Sequence, residues 1–524
     1  MTGLQVHVFI LSIKNKHGRI PNFGLVYPSP RTTSAIPMHE GSVEEDNQTK
    51  RTTMKQKHLN LLIALALAGV SATAGASGYR FGSQSVSSQG TAEANGAEAA
   101  DASTVFANPA GLSRLEGRQF AGGVTALVPH STYQDAGSTR FTGAPTGGQA
   151  RQSDYAPSAV AAPSLYYSHQ IDDRWTAGFG AFVPFGTDLD YDRDWAGRYS
   201  LTNIKLESLT LNPSVAFKLN AQHAFGLGID VDYMKASLGQ AVDVPGTVAA
   251  AQHSGTGAVL ARQIAGLGGN PALLATAGDA YAGVKGKDWG VGFNLGYLFT
   301  LDENTRFGIA YRSSIKHELK GSAAWDFSGV TSDAVVNGVL QSVSRRQNSD
   351  ARVELRTPET LSINAFHQFD PRWAGMADVT WSRNSRMQNI DIEFLGTGEG
   401  DEVIRQQWKN TVRVSLGASY KLNEAVLLRA GIAHDNAPVR STELRHAALP
   451  DADRNQLSFG ANWTLTPTSS IDLAYSYLDF KDAAGSYTNN CNPVAVGCTG
   501  NGETTRGTWN THMQLVGVAY NQRF

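Results

Sequence analysis

Apolar and polar residues alternate with a period of two through most of this chain, and that restricts it to strands, on which successive side chains take opposite faces. From 209 to 219 the odd positions read Leu209, Leu211, Pro213, Val215, Phe217 and Leu219, against Thr210, Asn212, Ser214, Ala216 and Lys218. Phe225, Leu227, Ile229, Val231 and Tyr233 share one face opposite Gly226, Gly228, Asp230 and Asp232. Trp289, Val291, Phe293, Leu295, Tyr297 and Phe299 repeat the pattern opposite Gly290, Gly292, Asn294 and Gly296. In a soluble sandwich the apolar face would meet a core. Here the second face is rich in Gly, Ser, Asn, Asp and Arg, and aromatics gather near strand ends. Lipid outside and a polar lumen inside explain both.

Connection lengths separate a membrane barrel from a sandwich, since outer-membrane barrels alternate short periplasmic turns with long external loops. Short turns are read at Asp172-Asp173-Arg174, Asn220-Ala221-Gln222, Asp302-Glu303-Asn304, Asp370-Pro371-Arg372, Asn423-Glu424 and Thr466-Pro467-Thr468. Long connections are read at 130–157, 187–207, 239–288, 322–351, 396–407, 440–453 and 481–506. Six turns and seven loops imply an all-β, antiparallel transmembrane barrel of about 14 strands over 119–524. The last strand ends on Val516, Val518, Tyr520 and Phe524, although Gln522 interrupts its apolar face.

The N-terminal 118 residues divide differently. The apolar run from 59 to 70 is too short to span a bilayer but suits the core of a secretory signal, with Lys55, Lys57 and His58 before it and Ala74-Gly75-Ala76 after it. Residues 54–76 are therefore expected to be a signal peptide, and 1–53 a mis-assigned start or a disordered extension. Residues 77–118 are polar and small, without sustained alternation. They are expected to form a hatch inside the lumen, where irregular backbone escapes contact with lipid; a periplasmic tail is the alternative.

Two cysteines, Cys491 and Cys498, lie close together in a Gly/Asn-rich stretch of an exported chain, where oxidising conditions favour a disulfide. A net charge of −2 without a basic patch argues against nucleic acid. No metal cluster, Ser/His/Asp set or carboxylate pair is spaced for catalysis, so no metal, cofactor or enzyme activity is expected. A monomer in outer-membrane lipid is expected. A general porin or an outer-membrane lipase are the competing classes.

Several separated segments resemble the long-chain fatty acid outer-membrane transporters (FadL/TodX-like). They are Ser77-Gly78-Tyr79, Asn108-Pro109-Ala110-Gly111, Pro184-Phe185-Gly186 with Trp195-Ala196-Gly197-Arg198-Tyr199, Leu211-Asn212-Pro213-Ser214, Asp288 to Asn294, Tyr311-Arg312-Ser313, Leu428 to Ile432 and Leu449 to Arg454. The resemblance covers essentially 77–524. It implies passive, ligand-gated uptake of fatty acids or aromatic hydrocarbons through an N-terminal hatch, a groove between helical external loops, and a sideways exit at a kink in the third strand. That strand corresponds to 175–186, with Gly178, Gly180, Pro184 and Gly186 supplying the freedom a kink needs. Tyr79 is expected at the ligand end of the hatch, and Asn108, Pro109 and Ala110 as its anchor motif; as a bare tripeptide they would be an ordinary turn. For the ligand carboxylate the resemblance points to Arg386 and Lys235. Parity favours Arg386, which shares a face with Asp378, Thr380, Ser382 and Asn384, and weakens Lys235, which shares the lipid-facing parity of Tyr233. In the long loops, Ala258-Val259-Leu260 and Ala272-Leu273-Leu274 read as short helices, as do Val335, Val336, Val339 and Leu340. They form either a ligand groove or a mutual cover.

Overall fold

The computed structural model describes residues 79–397, 400–491, 493–494 and 500–524. The expected signal peptide and the segment before it lie outside them. The described residues form a closed barrel of 14 antiparallel wall strands. In chain order these are β1 (Arg118–Asp135), β2 (Arg151–Ser153, Val160–Gln170), β3 (Trp175–Phe182, Gly186–Asp190), β4 (Asn203–Lys218) and β5 (His223–Val242). Next come β6 (Ala280–Thr300), β7 (Thr305–Arg312, Lys316–Asp326), β8 (Ser349–Arg356, Thr360–Gln368), β9 (Trp373–Ser382, Asn389–Leu395) and β10 (Glu402–Arg405, Thr411–Lys421). The wall finishes with β11 (Val426–Asp435), β12 (Arg454–Thr466), β13 (Ser469–Phe480, Ala483–Thr488) and β14 (Thr504–Arg523). Each strand pairs with its successor, and β1 closes on β14 in a register that sets Val124 against Val518. Closure removes the free edges of an open sheet, except at a break in β3.

Five of the short turns share one device. In each, a single Asx oxygen accepts the N–H groups two and three residues on, closing the chain within a few residues. Asp172 takes Arg174 and Trp175 at 2.8 Å each, Asn220 takes Gln222 and His223, and Asp302 takes Asn304 and Thr305. Asp370 and Asn423 repeat it. The turns fall where the sequence places them.

Around the barrel's middle the outer face is apolar, with Trp289 59% and Val291 68% exposed, while Asp230 and Asp232 on the inner face are buried. Towards the long loops the faces exchange character. On β7, Phe307 and Ile309 face out from odd positions. Beyond the irregular residues 313–315 the outward residues are Lys316 and Lys320, and Leu319, Ala323 and Trp325 are buried inside. β5, β6, β7 and β8 accordingly run well into what the sequence reading assigns to loops at 239–288 and 322–351. An apolar-out pattern identifies strand only where lipid covers the outside, and above the lipid this pattern inverts.

The hatch occupies the lumen. It includes α1 (Val86–Gln89), α2 (Thr104–Ala107) and a 3₁₀ segment, Pro109–Arg114, and most of its side chains are buried. Three helices cap the external end: α3 (Val244–His253), α4 (Gly257–Gly266) and α5 (Ala334–Val343). The Ala258 and Val335 stretches are helical as expected, Pro271–Thr276 is a 3₁₀ turn, and α3 was not anticipated. No helix among the described residues is long and apolar enough to cross a membrane.

Candidate functional site

Pro184 has no amide hydrogen to give to a ladder, and β3 breaks around it. Pairing of β3 with β2 stops at Leu165↔Ala181, and the second β3 segment pairs with β4 alone, from Gly186↔Glu207 to Asp190↔Asn203. Hatch residues stand in for the missing partner. Phe81 N–H donates to the Pro184 carbonyl at 2.8 Å, Gly186 N–H donates to the Tyr79 carbonyl at 2.9 Å, and Arg80 lies opposite Phe185 as a single antiparallel bridge. The Gln84 amide serves both polar groups of Val183, donating to its carbonyl at 2.6 Å and accepting from its N–H at 3.0 Å. Phe185 is held from β4, its N–H donating to Ser208 Oγ at 3.0 Å. The buried backbone of the kink is thus fully partnered, largely by the hatch.

Above this seam the exchanged faces build a packed apolar cluster. Leu206, Met234, Leu319, Leu355, Met387 and Trp408 belong to it, and Ile264 of α4 with Val336, Val339 and Leu340 of α5 cover it. The Tyr79 ring closes its floor, 5.4 Å from Phe185 and 6.1 Å from Trp408, with its hydroxyl donating to the Arg356 carbonyl at 3.1 Å. Three buried polar side chains here lack partners among the described residues: Trp325 Nε1, Trp408 Nε1, and both amide atoms of Gln406 two residues before Trp408. Unpartnered buried donors are costly, by about 1–3 kcal/mol each, unless a ligand or water meets them. Beside the kink a separate cavity of about 60 Å³ is bounded by Thr187 and Leu189 of β3, Tyr155, Leu449, Pro450 and Phe480. It adjoins the β3 edge that β2 leaves uncovered.

Residues 67–524 match the family model of the outer membrane protein transport proteins (OMPP1/FadL/TodX). The chain belongs to this family. A Neisseria meningitidis chain named as an outer membrane protein is 33% identical over 88% of this chain and 98% of its own length. The Escherichia coli long-chain fatty acid transport protein is 27% identical over 81% and 93%. Among solved structures, a Pseudomonas aeruginosa FadL homologue superposes with a TM-score of 0.72 at 23% identity, covering 85% of this chain and all of that one. The protein resides in the bacterial outer membrane.

In this transport-family barrel the Asn108 segment is held against the wall. Asn108 Oδ1 accepts the Ala110 N–H at 3.1 Å, opening the 3₁₀ segment, and Asn108 Nδ2 donates to the Tyr297 carbonyl of β6 at 3.1 Å. Lumen-facing glycines make this approach possible. A Cβ on Gly226 would stand 2.3 Å from Ala110 N and Pro109 C, and one on Gly296 would stand 2.2 Å from Asn108 Oδ1. Gly178 likewise leaves room for Leu112 and Val105 of the hatch, whereas Gly180 packs against Tyr166 of β2. Wall arginines complete the seal: Arg306 Nε donates to the Ala97 carbonyl at 3.1 Å, and Arg413 pairs with Glu93.

The two expected carboxylate ligands stand elsewhere. Arg386 is not on a strand face; β9 leaves its first segment at Ser382, and Asn384–Arg386 forms a 3₁₀ turn that breaks the parity argument. Its guanidinium donates to both Glu359 oxygens, at 2.9 and 3.1 Å. Lys235 is exposed on the outer face, between Glu207 and Lys287, and does not face the apolar cluster. Cys491 is disulfide-bonded, and Cys498, the partner expected for it, lies outside the described residues. Gln84, Gln406 and Trp408 escaped sequence reasoning. Only the alternation of Ile404 with Gln406 and Trp408 hinted that the last two are inward.

Proposed function

We propose that the protein takes up long apolar molecules carrying one polar head, with long-chain fatty acids as the best-fitting class, by capture among the apolar side chains beneath α4 and α5 and lateral release at the β3 kink. The cluster supplies apolar surface that a ligand can enter by displacing α4 and α5, and each CH₂ kept from water is worth about 0.8 kcal/mol. The unpartnered Trp408 and Gln406 donors suit a carboxylate better than a bare hydrocarbon ring. A carboxylate there would remove the cost of leaving them bare.

The observation that carries the release step is the substitution of hatch for wall. Residues 79–84 hold the kink's backbone where a neighbouring strand would otherwise do so, so moving that short segment leaves an unpaired stretch of wall beside an apolar cavity. A route through the wall keeps the chain out of water, which a route down the polar lumen would not. The test is uptake of labelled fatty acid by cells expressing Pro184→Val with Gly186→Val, which favours a straight, paired β3, alongside equilibrium binding to the purified protein. Binding retained with uptake lost supports lateral release. Full uptake would route the ligand down the lumen.

A further inference from the structure

A row of cations crosses the outer wall just above the lipid-facing band. In register, Glu207 of β4 faces Lys235 of β5, Lys235 faces Lys287 of β6, Lys287 faces Lys320 of β7, Lys320 faces Arg352 of β8, and Arg352 faces Glu393 of β9. Four like charges therefore stand directly opposite one another across four adjacent strands, an arrangement that is destabilising unless something offsets it. Little in the protein does. Lys235, Lys287 and the neighbouring Lys285 make no ion pair among the described residues, and all three are exposed. Lys320 reaches Glu318 only at 3.6 Å with its side chain 72% exposed. Arg352, at the end of the row, is shared between Glu318 and Glu393.

Position says what the row meets. Lys287 lies two residues above Trp289, whose ring packs 5.0 Å from Tyr233, an aromatic pair of the kind that marks the membrane interface. Two residues of strand rise about 7 Å, which sets the ammonium groups at headgroup depth on the long-loop, external side. Strands stand about 4.8 Å apart, so the four cations span about 15 Å, wide enough for a headgroup bearing more than one phosphate. The opposite side of the barrel differs: there the register sets His130 of β1 against His512 of β14, and His512 against Asp479 of β13.

We infer that Lys235, Lys287 and Lys320, with Lys285 and Arg352 at the margins, form a binding site for the multiply phosphorylated sugar headgroup of an outer-leaflet glycolipid. A zwitterionic headgroup brings its own cation and cannot offset the row, whereas phosphate monoesters in excess can. The ladder begins at Glu207, which also faces Gly186 at the kink. The bound lipid would flank the wall opening on its β4 side.

The test uses the full-length protein from outer membranes, with phosphorylated glycolipid retained after mild detergent extraction counted by native mass spectrometry. Rebinding is then measured in phosphatidylcholine nanodiscs containing bisphosphorylated lipid A. Lys235→Gln/Lys287→Gln/Lys320→Gln is expected to lose at least about ten-fold in retention and rebinding, with Lys421→Gln at a periplasmic turn unchanged; the charged headgroup interaction should also weaken with ionic strength in the unaltered protein. Heat-modifiable gel mobility checks that the triple variant is folded, and Lys287→Gln alone serves if it is not. Retention equal to the unaltered protein in either variant overturns the proposal. So does equal rebinding of dephosphorylated glycolipid, or full competition by inorganic phosphate, which would make the row a simple anion site.

Discussion

The barrel's middle and its external crown are built from the same strands with their faces exchanged. In the middle, Phe225, Ile229 and Val291 face outward and Asp230, Asp232 and Asn294 face inward. In the crown, Lys235, Lys287 and Lys320 face outward, and Met234, Leu319 and Trp325 face inward. What lies outside changes from hydrocarbon to headgroups and water; what lies inside changes from a hatch that needs hydrogen bonds to a packed apolar cluster beneath the external helices. Strand geometry is indifferent to the exchange. Alternation thus reports which faces differ, and the neighbouring medium decides which sign each takes.

The sharpest break of this comparison is a charge moved from one region to the other. Val291→Arg, in the lipid band, should destabilise the folded barrel by about 2–4 kcal/mol, whereas Ala324→Arg, exposed and outward in the crown opposite Gly283, should change it by no more than about 0.5 kcal/mol. Reversible denaturant unfolding in lipid vesicles measures both. Equal effects would mean the two outer faces share one environment.

On the inside, the middle packs against the hatch, so added bulk there should be felt by the hatch. Gly226→Val drives side-chain atoms into Pro109 and Ala110, where even a Cβ has only 2.3 Å. Overpacking of this kind costs about 1–3 kcal/mol, and the hatch is the part able to move. The expected result is a folded barrel with raised single-channel ion conductance, and an unchanged trace would show that the hatch does not seal the lumen.

A smaller effect is expected at the crown's buried carboxyl. Glu503, just before β14, is pushed up to about 8 by burial, with Glu402 adding to the rise. Its protonated form is favoured in the folded state, so its contribution to loop packing is complete below the ordinary value of 4.5 and is lost as pH rises through about 8. Protease clipping of the external loops should increase over that interval and become flat in Glu503→Gln. His446 nearby, lowered to about 3 by burial, stays neutral throughout and cannot produce the same profile.

What the sequence revealed follows the same division. The lipid band was legible because Leu209 to Phe217 and Trp289 to Phe299 alternate without interruption, and the turns because Asp172, Asn220, Asp302, Asp370 and Asn423 each close one. The crown was not, since irregular residues such as 313–315 shift parity and an inverted pattern resembles a polar loop. Lys235 was correctly read as outward by parity, while Arg386 misled because a 3₁₀ turn had replaced the strand. Tyr79 and the Asn108 motif were visible through resemblance alone. Gln84 was invisible by either route: its role depends on Val183, 99 residues away, and no local pattern encodes that meeting.

The central claim is that hatch residues 79–84 hold the wall shut and must move for cargo to leave. Arg80 and Phe185 form a non-hydrogen-bonded antiparallel pair, flanked by the Phe81–Pro184 and Gly186–Tyr79 bonds. Such pairs bring Cα atoms to about 4.5 Å, within disulfide range. In Arg80→Cys/Phe185→Cys, uptake of labelled fatty acid should be blocked when the pair is oxidised and restored on reduction, with ligand binding kept in both states. Uptake at the reduced rate through the oxidised, cross-linked protein would contradict the account.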